Sequence, residues 1–262
     1  MSPTTANSSI EVIYSKDMKA AVHYIDEDEN DKVILKSAEQ TGKEGKQIGY
    51  SSADDLNKLT TNGYVLDKND YDPKGQSPKF DPAVSVYKIY LKHGVDHVTP
   101  DNPVDGYKKE DLQKTVTTTV TYKDDKGKDL DQLTHTNIFK GEGYYDKVTG
   151  KLVNLKKDGS IKDQNGHITW SAEKTFDAIP ARTFAGYTFD HVDIKSADSK
   201  LDVHNDTGAI GAQTMTPTTA NSAIEVIYSK DIKAAVHYID EDDNNKVILK
   251  SAEQTGKEGK QI

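Results

Sequence analysis

The 46-residue segment that opens at Pro3 returns at Pro217, and the offset of 214 residues holds to Ile48 and Ile262. Only four aligned positions differ: Ser9/Ala223, Met18/Ile232, Glu29/Asp243 and Asp31/Asn245. Two similar elements of a single domain would not keep the same side chains even at turn positions. The agreement instead describes a tandem array with a period near 214 residues, and such an array fixes the domain plan before any other feature is read. The chain reads as one unit plus the truncated opening of the next. Residues 1–17 are expected to be a closing strand carried over from a preceding unit, and residues 231–262 the first hairpin of a following one. Either end could swap between chains.

A fainter repeat lies inside the unit. Val22, Tyr24 and Asp26 in AVHYIDEDEND match Val120, Tyr122 and Asp124 in TVTYKDDKGKD. NGYVLDKND (62–70) matches AGYTFDHVD (185–193), and VYKIYLK (86–92) parallels IEVIYSK (224–230). Two related domains are therefore expected, 18–111 with its linker and 112–230. The second is the larger, because extra residues separate its motifs.

Local pattern gives the element order. KAAVHYID alternates as a strand, EDEND is a polar turn, and KVILKSAEQTGK is the returning strand of a hairpin. SSADDLNKLTTNGY reads as a helix, with Ser52 as cap, Asp55 as its capping-box partner, Leu56 and Leu59 facing a core, and Gly63 ending it. YVLD and SVYKIYLK add two strands. Strand, strand, helix, strand, strand is the order of a β-grasp, so the expected class is α+β and β-rich. Two tandem β-grasp domains are expected, the second carrying extra β-hairpins. KVTGKLVNLKKDGSIKDQNGHITW supplies those hairpins. Pro180 argues against a long helix in SAEKTFDAIPARTFAGY. Residues 92–111, with two Pro and two Gly, read as a linker that leaves His93 and His97 solvated in a loop.

Composition narrows the function. Hydrophobic residues make up 34%, with five Phe and one Trp, while fourteen Tyr suit thin layers whose hydroxyls stay wet. A formal charge of −9 argues against nucleic acid and against anionic membrane surfaces. Without cysteine there is no disulfide, thiolate zinc site or thiol nucleophile. No nucleophile elbow or phosphate-binding Gly loop occurs. The sequence therefore reads as no enzyme. Asp26, Asp28 and Asn30 have the spacing that opens a calcium loop, but Asp31 and Ser37 stand where Gly and Glu are needed. An acidic hairpin turn is the favoured reading and a weak calcium site the alternative.

VHYIDEDENDKVI, NGYVLDKNDYD with VYKIYLK, and ITWSAEKTFDAIPARTFAGYTFD together resemble mucin-binding (MucBP, or Mub) repeats of lactobacillar cell-surface adhesins. The resemblance covers essentially the whole chain. It implies an elongated repeat of two ubiquitin-like β-grasp domains, displayed on a cell-wall-attached, extracellular fibre of a Gram-positive bacterium. It also implies partners among host mucins and their glycans, immunoglobulins for some relatives, and neighbouring repeats of the same chain. A structural spacer and an immunoglobulin-binding module are the rival functions. Tyr144 and Tyr145, read as a Gly-flanked turn in KGEGYYDK, are the candidate sugar-stacking residues; the alternative is that they tuck onto the sheet. Trp170, alternating with Ile168, reads as core rather than as a ligand platform.

Overall fold

The computed structural model describes residues 9–257, and these fall into two compact units. One comprises the chain up to Val98 together with Gly143–Ile168; the other comprises Thr99–Glu142 and the chain from Thr169 onward. Residues 143–168, the hairpin-rich insertion of the second half, thus group with the first half. Residues 1–8 and 258–262, which begin and end the expected flanking segments, lie outside the described residues.

The first unit is built on β1 (Met18–Asp26), β2 (Lys32–Lys36), β3 (Gln40–Gly42), α1 (Ala53–Thr61), β4 (Tyr64–Asn69) and β5 (Val86–His93). The sheet order is β2-β1-β5-β4, with β1 and β5 parallel and both outer pairs antiparallel; β3 pairs the start of β1. Alternation on β1 and β5 puts Ala20, Val22, Tyr24, Ile89 and Leu91 into one core with Ile48, Tyr71 and Phe80. Leu56 and Leu59 of α1 pack on it, as their helical spacing requires. Tyrosine hydroxyls are satisfied within this layer: Tyr24 and Tyr50 hydroxyls lie 2.7 Å apart, and Tyr50 donates to Asp55 at 2.6 Å. That bond corrects the capping-box expectation. Ser52 caps nothing through its side chain, because its hydroxyl donates to the buried carboxylate of Asp72. Gly63 follows the helix at φ +95°, and a Cβ there would sit 2.7 Å from the Lys147 backbone, so glycine is needed on both counts.

Residues 92–111 are not a plain linker. They contain the end of β5, then β6 (Val95–Val98) and a short α2 (Lys109–Leu112), because Val95 and Val98 find a partner edge. After β7 (Gln113–Asp124) runs the long β8 (Asp129–Asp146), then β9 (Lys151–Leu155) and β10 (Ile161–Asp163). In the first unit, β6, the last four residues of β8, β9 and β10 form a second small antiparallel sheet. Tyr144 and Tyr145 belong to β8 and not to a turn.

The second unit adds β11 (Thr169–Trp170), β12 (Lys174–Phe176), β13 (Tyr187–Ser196), β14 (Gln213–Met215) and β15 (Ser222–Ala234), followed by β16 (His237–Asp240), β17 (Lys246–Lys250) and β18 (Gln254–Lys257). Its main sheet has the order β8-β7-β15-β13, with β7 and β15 parallel, the same arrangement as β2-β1-β5-β4. No helix lies between β8 and β13; Phe176, Leu201, Ile210 and Met215, from short strands and loops, fill that side of the core. The match between closing strands is also shifted by one residue from the alignment by sequence. Val22 and Val120 pair with Tyr87 and Ile224, so the buried Ile89 corresponds to Val226. A one-residue slip would turn the apolar set to the wrong face, so burial decides the register.

Residues 9–17, expected as a closing strand, form no strand; Ile10, Val12, Ile13 and Tyr14 are exposed. A strand needs a neighbour to satisfy its backbone, and none of the described residues pairs with this segment.

Candidate functional site

Three strand ends of the first unit meet at one buried charged cluster. Asp26 ends β1, His93 ends β5 and Asp146 ends β8. The His93 side chain is 2% exposed and both carboxylates 0%. Its Nδ1 lies 2.7 Å from Asp146 and its Nε2 3.0 Å from Asp26, so the doubly protonated ring donates to both. Burial pushes the imidazole pKa down, but the hydrogen bonds and charges of Asp146 and Asp26 outweigh it, and the net shift is upward. Burial likewise pushes the Asp146 carboxyl up. Donors from His93, Gln164, Thr149 and the Val148 amide more than offset this and leave it below its usual range. Tyr64, which donates to Asp26 at 3.2 Å, has its hydroxyl pushed up to about 12, first by burial and then by the Asp26 charge.

This cluster corrects the reading of His93 as a solvated loop residue. The signal was present in the sequence, since Ile89, Leu91 and His93 share one alternating face. Composition of the following residues masked it. His97 is exposed on β6, directly across from Tyr144 on β8, and the two rings stack at 5.1 Å with 25° between their planes. Tyr144 is itself exposed, while Tyr145 is half-buried and faces Asp96 and Leu152 in the strand register.

The acidic turn is spent on protein donors. Asp26 accepts from the amides of Asp28 and Glu29 through Oδ1 and from His93 and Tyr64 through Oδ2. Asp28 accepts from the His93 amide at 2.8 Å, and Asn30 occupies the turn at φ 57°. Among the described residues, no group of three or more His, Asp or Glu side chains is arranged to hold a metal ion. The structure therefore joins Asp26 and Asp28 to His93 and joins Tyr144 to His97. Trp170, in the second unit, is half-buried and packs against that unit's core. None of the described helices is long and apolar enough to cross a membrane.

Comparison with known proteins agrees with this architecture. A mucin-binding domain family model matches residues 18–93, and a Muc B2-like domain model matches residues 107–232. Among solved structures, Mub-RV is 25% identical with a TM-score of 0.55, covering 80% of this chain and 97% of its own. The type 2 repeat of the mucus binding protein MUB from Lactobacillus reuteri is also 25% identical, covering 81% of this chain and 99% of its own, with a TM-score of 0.40. No curated protein matches. With two successive models together taking in most of the chain, and a solved Mub repeat aligned over 80% of it, the chain belongs to the mucin-binding repeats of Lactobacillus type.

Proposed function

We propose that the chain is a non-enzymatic adhesion repeat that holds host mucin weakly through each unit and firmly through many. The observation that carries this reading is the pair of successive matches, mucin-binding domain then Muc B2-like domain, in one continuous chain. Each half is a β-grasp module, one built on β1, β2, β4 and β5 and carrying the hairpins of 143–168, the other built on β7, β8, β13 and β15 and having exchanged its helix for loops and short strands. The setting is the outer face of a Gram-positive cell wall, where such repeats are strung in series.

Small sheet modules have room for shallow contacts, so affinity per unit is low. Linking such sites gains about 10²–10⁴ in avidity without any new contact. The chain carries a formal charge of −9, and mucins are themselves anionic, so contact is opposed by repulsion near neutrality and eased as carboxylates are protonated.

The test is retention on immobilised mucin, comparing the single chain with a streptavidin-held tetramer at pH 7 and pH 5. The tetramer is expected to be retained about 10²-fold or more over the monomer, with both held better at pH 5. Absence of retention in either form would overturn the adhesion reading, and equal retention of monomer and tetramer would overturn the dependence on number.

A further inference from the structure

In the second unit, Thr99–Asp101, Lys140–Glu142, Trp170 and Ser171 enclose a cleft of about 330 Å³. It holds the only Trp of the chain. We propose that this cleft is a binding site for a neutral hexose or N-acetylhexosamine, with the indole as platform. The proposal rests on the adhesion reading and gives it a location.

Three observations carry it. The platform is rigid: Trp170 is half-buried against the unit's core, and its strand is fixed to β8 by the pairs Thr169↔Glu142 and Trp170↔Gly141. Gly141, the register partner of Trp170, contributes no side chain to the cleft. The aromatic face carries negative charge density and attracts the polarised C–H face of a pyranose.

The rim is also built rather than accidental. The Ser171 amide donates to Lys140 carbonyl at 2.8 Å, and the Lys140 amide donates to the Ser171 hydroxyl at 3.2 Å. Reciprocal backbone bonds between Thr99 and Asn102 hold Asp101 at the mouth. There the Asp101 carboxylate lies 3.1 Å from the Lys140 ammonium, both exposed. A sugar diol fits such a pair, one hydroxyl donating to the carboxylate while another accepts from the ammonium.

Charge and size then select the class. The Lys140 ammonium is already balanced by the Asp101 carboxylate, so the mouth offers no surplus cation to hold an acidic sugar. The volume stands at the small end of ligand pockets, about 300–1,000 Å³, and suits one ring at the end of an oligosaccharide better than a peptide.

Because Trp170 is the sole Trp, indole fluorescence of the whole chain reports on this cleft alone. Methyl glycosides of galactose, N-acetylgalactosamine and N-acetylglucosamine are titrated, with N-acetylneuraminic acid alongside. At least one neutral sugar is expected to shift the emission saturably. The exposed-rim variants Asp101→Asn and Lys140→Gln, which leave the core untouched, should weaken that response about tenfold, the loss of a hydrogen bond to a charged group. The same variants are run on the mucin surface as tetramers.

A silent emission with every neutral sugar, or a response to N-acetylneuraminic acid alone, overturns the proposal. Full mucin retention by both rim variants also overturns the cleft's role but leaves adhesion standing. A sugar response in a chain that does not hold mucin does the reverse: the cleft stands and the adhesion reading falls.

Discussion

The same sequence occurs twice in this molecule in two different states. In β15, Ile224 and Tyr228 are each 1% exposed; their copies Ile10 and Tyr14 are 87% and 91% exposed and form no strand. The difference is the neighbour: β15 lies parallel to β7, whereas residues 10–14 pair with nothing among the described residues. The reverse holds one element later. Val22 and Tyr24 are buried core beside β5, and their copies Val236 and Tyr238 are 56% and 52% exposed.

Yet the hairpin survives intact in both copies. His23↔Lys36 and Tyr24↔Leu35 recur as His237↔Lys250 and Tyr238↔Leu249, with the same irregularity one residue later. The turn backbone recurs too, at φ 57° and 58° in one copy and 52° and 58° in the other. Turn chemistry and register are thus written locally, while burial is supplied by a partner strand.

The largest test of that contrast is a matched pair of truncations. Tyr228→Ala should cost about 3–5 kcal/mol in urea unfolding, the range for a buried aromatic, whereas Tyr14→Ala should stay within about 0.5 kcal/mol. Comparable losses at both sites would mean that residues 10–14 have a partner.

A second pair probes the charged cluster. Asp26→Asn leaves His93 short of a carboxylate and should cost about 1–3 kcal/mol, while Asp240→Asn in the other copy costs almost nothing. The pH dependence has a defined sign. With its folded pKa raised, His93 contributes fully below about pH 6.5, and that contribution fades as pH rises through the folded value. Asp146, with its folded pKa lowered, contributes fully above about pH 4, and that contribution fades as pH falls through the folded value. Melting of the first unit, followed by a reporter in β5, should therefore be most stable between these limits. Asp26→Asn should flatten the alkaline decline, and an unchanged slope would remove His93 from the account.

The smallest effect should be the same in both copies. Asp31→Ala and Asn245→Ala remove the short polar side chain that favours the left-handed region at φ 58° and should each loosen their hairpin by about 1 kcal/mol. Amide exchange of the two hairpins would reveal a difference if the turn were not local.

These pairs also explain what was readable in the sequence. The hairpin turn, the Leu56 and Leu59 face and Gly63 were legible because each depends on residues within a few positions. The cap at Ser52 was misread because Asp72, twenty residues away, takes its hydroxyl. The second unit's missing helix was left open by Pro180 and settled by loops that fill the same core. His93 was missed because the distant Asp146 is what makes burial of a charged ring tolerable, and only its alternation with Ile89 and Leu91 pointed inward. The Trp170 cleft depends on Asp101, Lys140 and Ser171 meeting from three separate segments, which no spacing discloses.

Amide hydrogen exchange on the intact chain tests the central claim most directly, because the two copies report within one sample. Ile224–Tyr228 should exchange only with opening of the second unit, while Ile10–Tyr14 should exchange at close to unprotected rates. Equal protection of the two copies would contradict the claim that a partner strand, and not the repeated sequence itself, decides which copy is core.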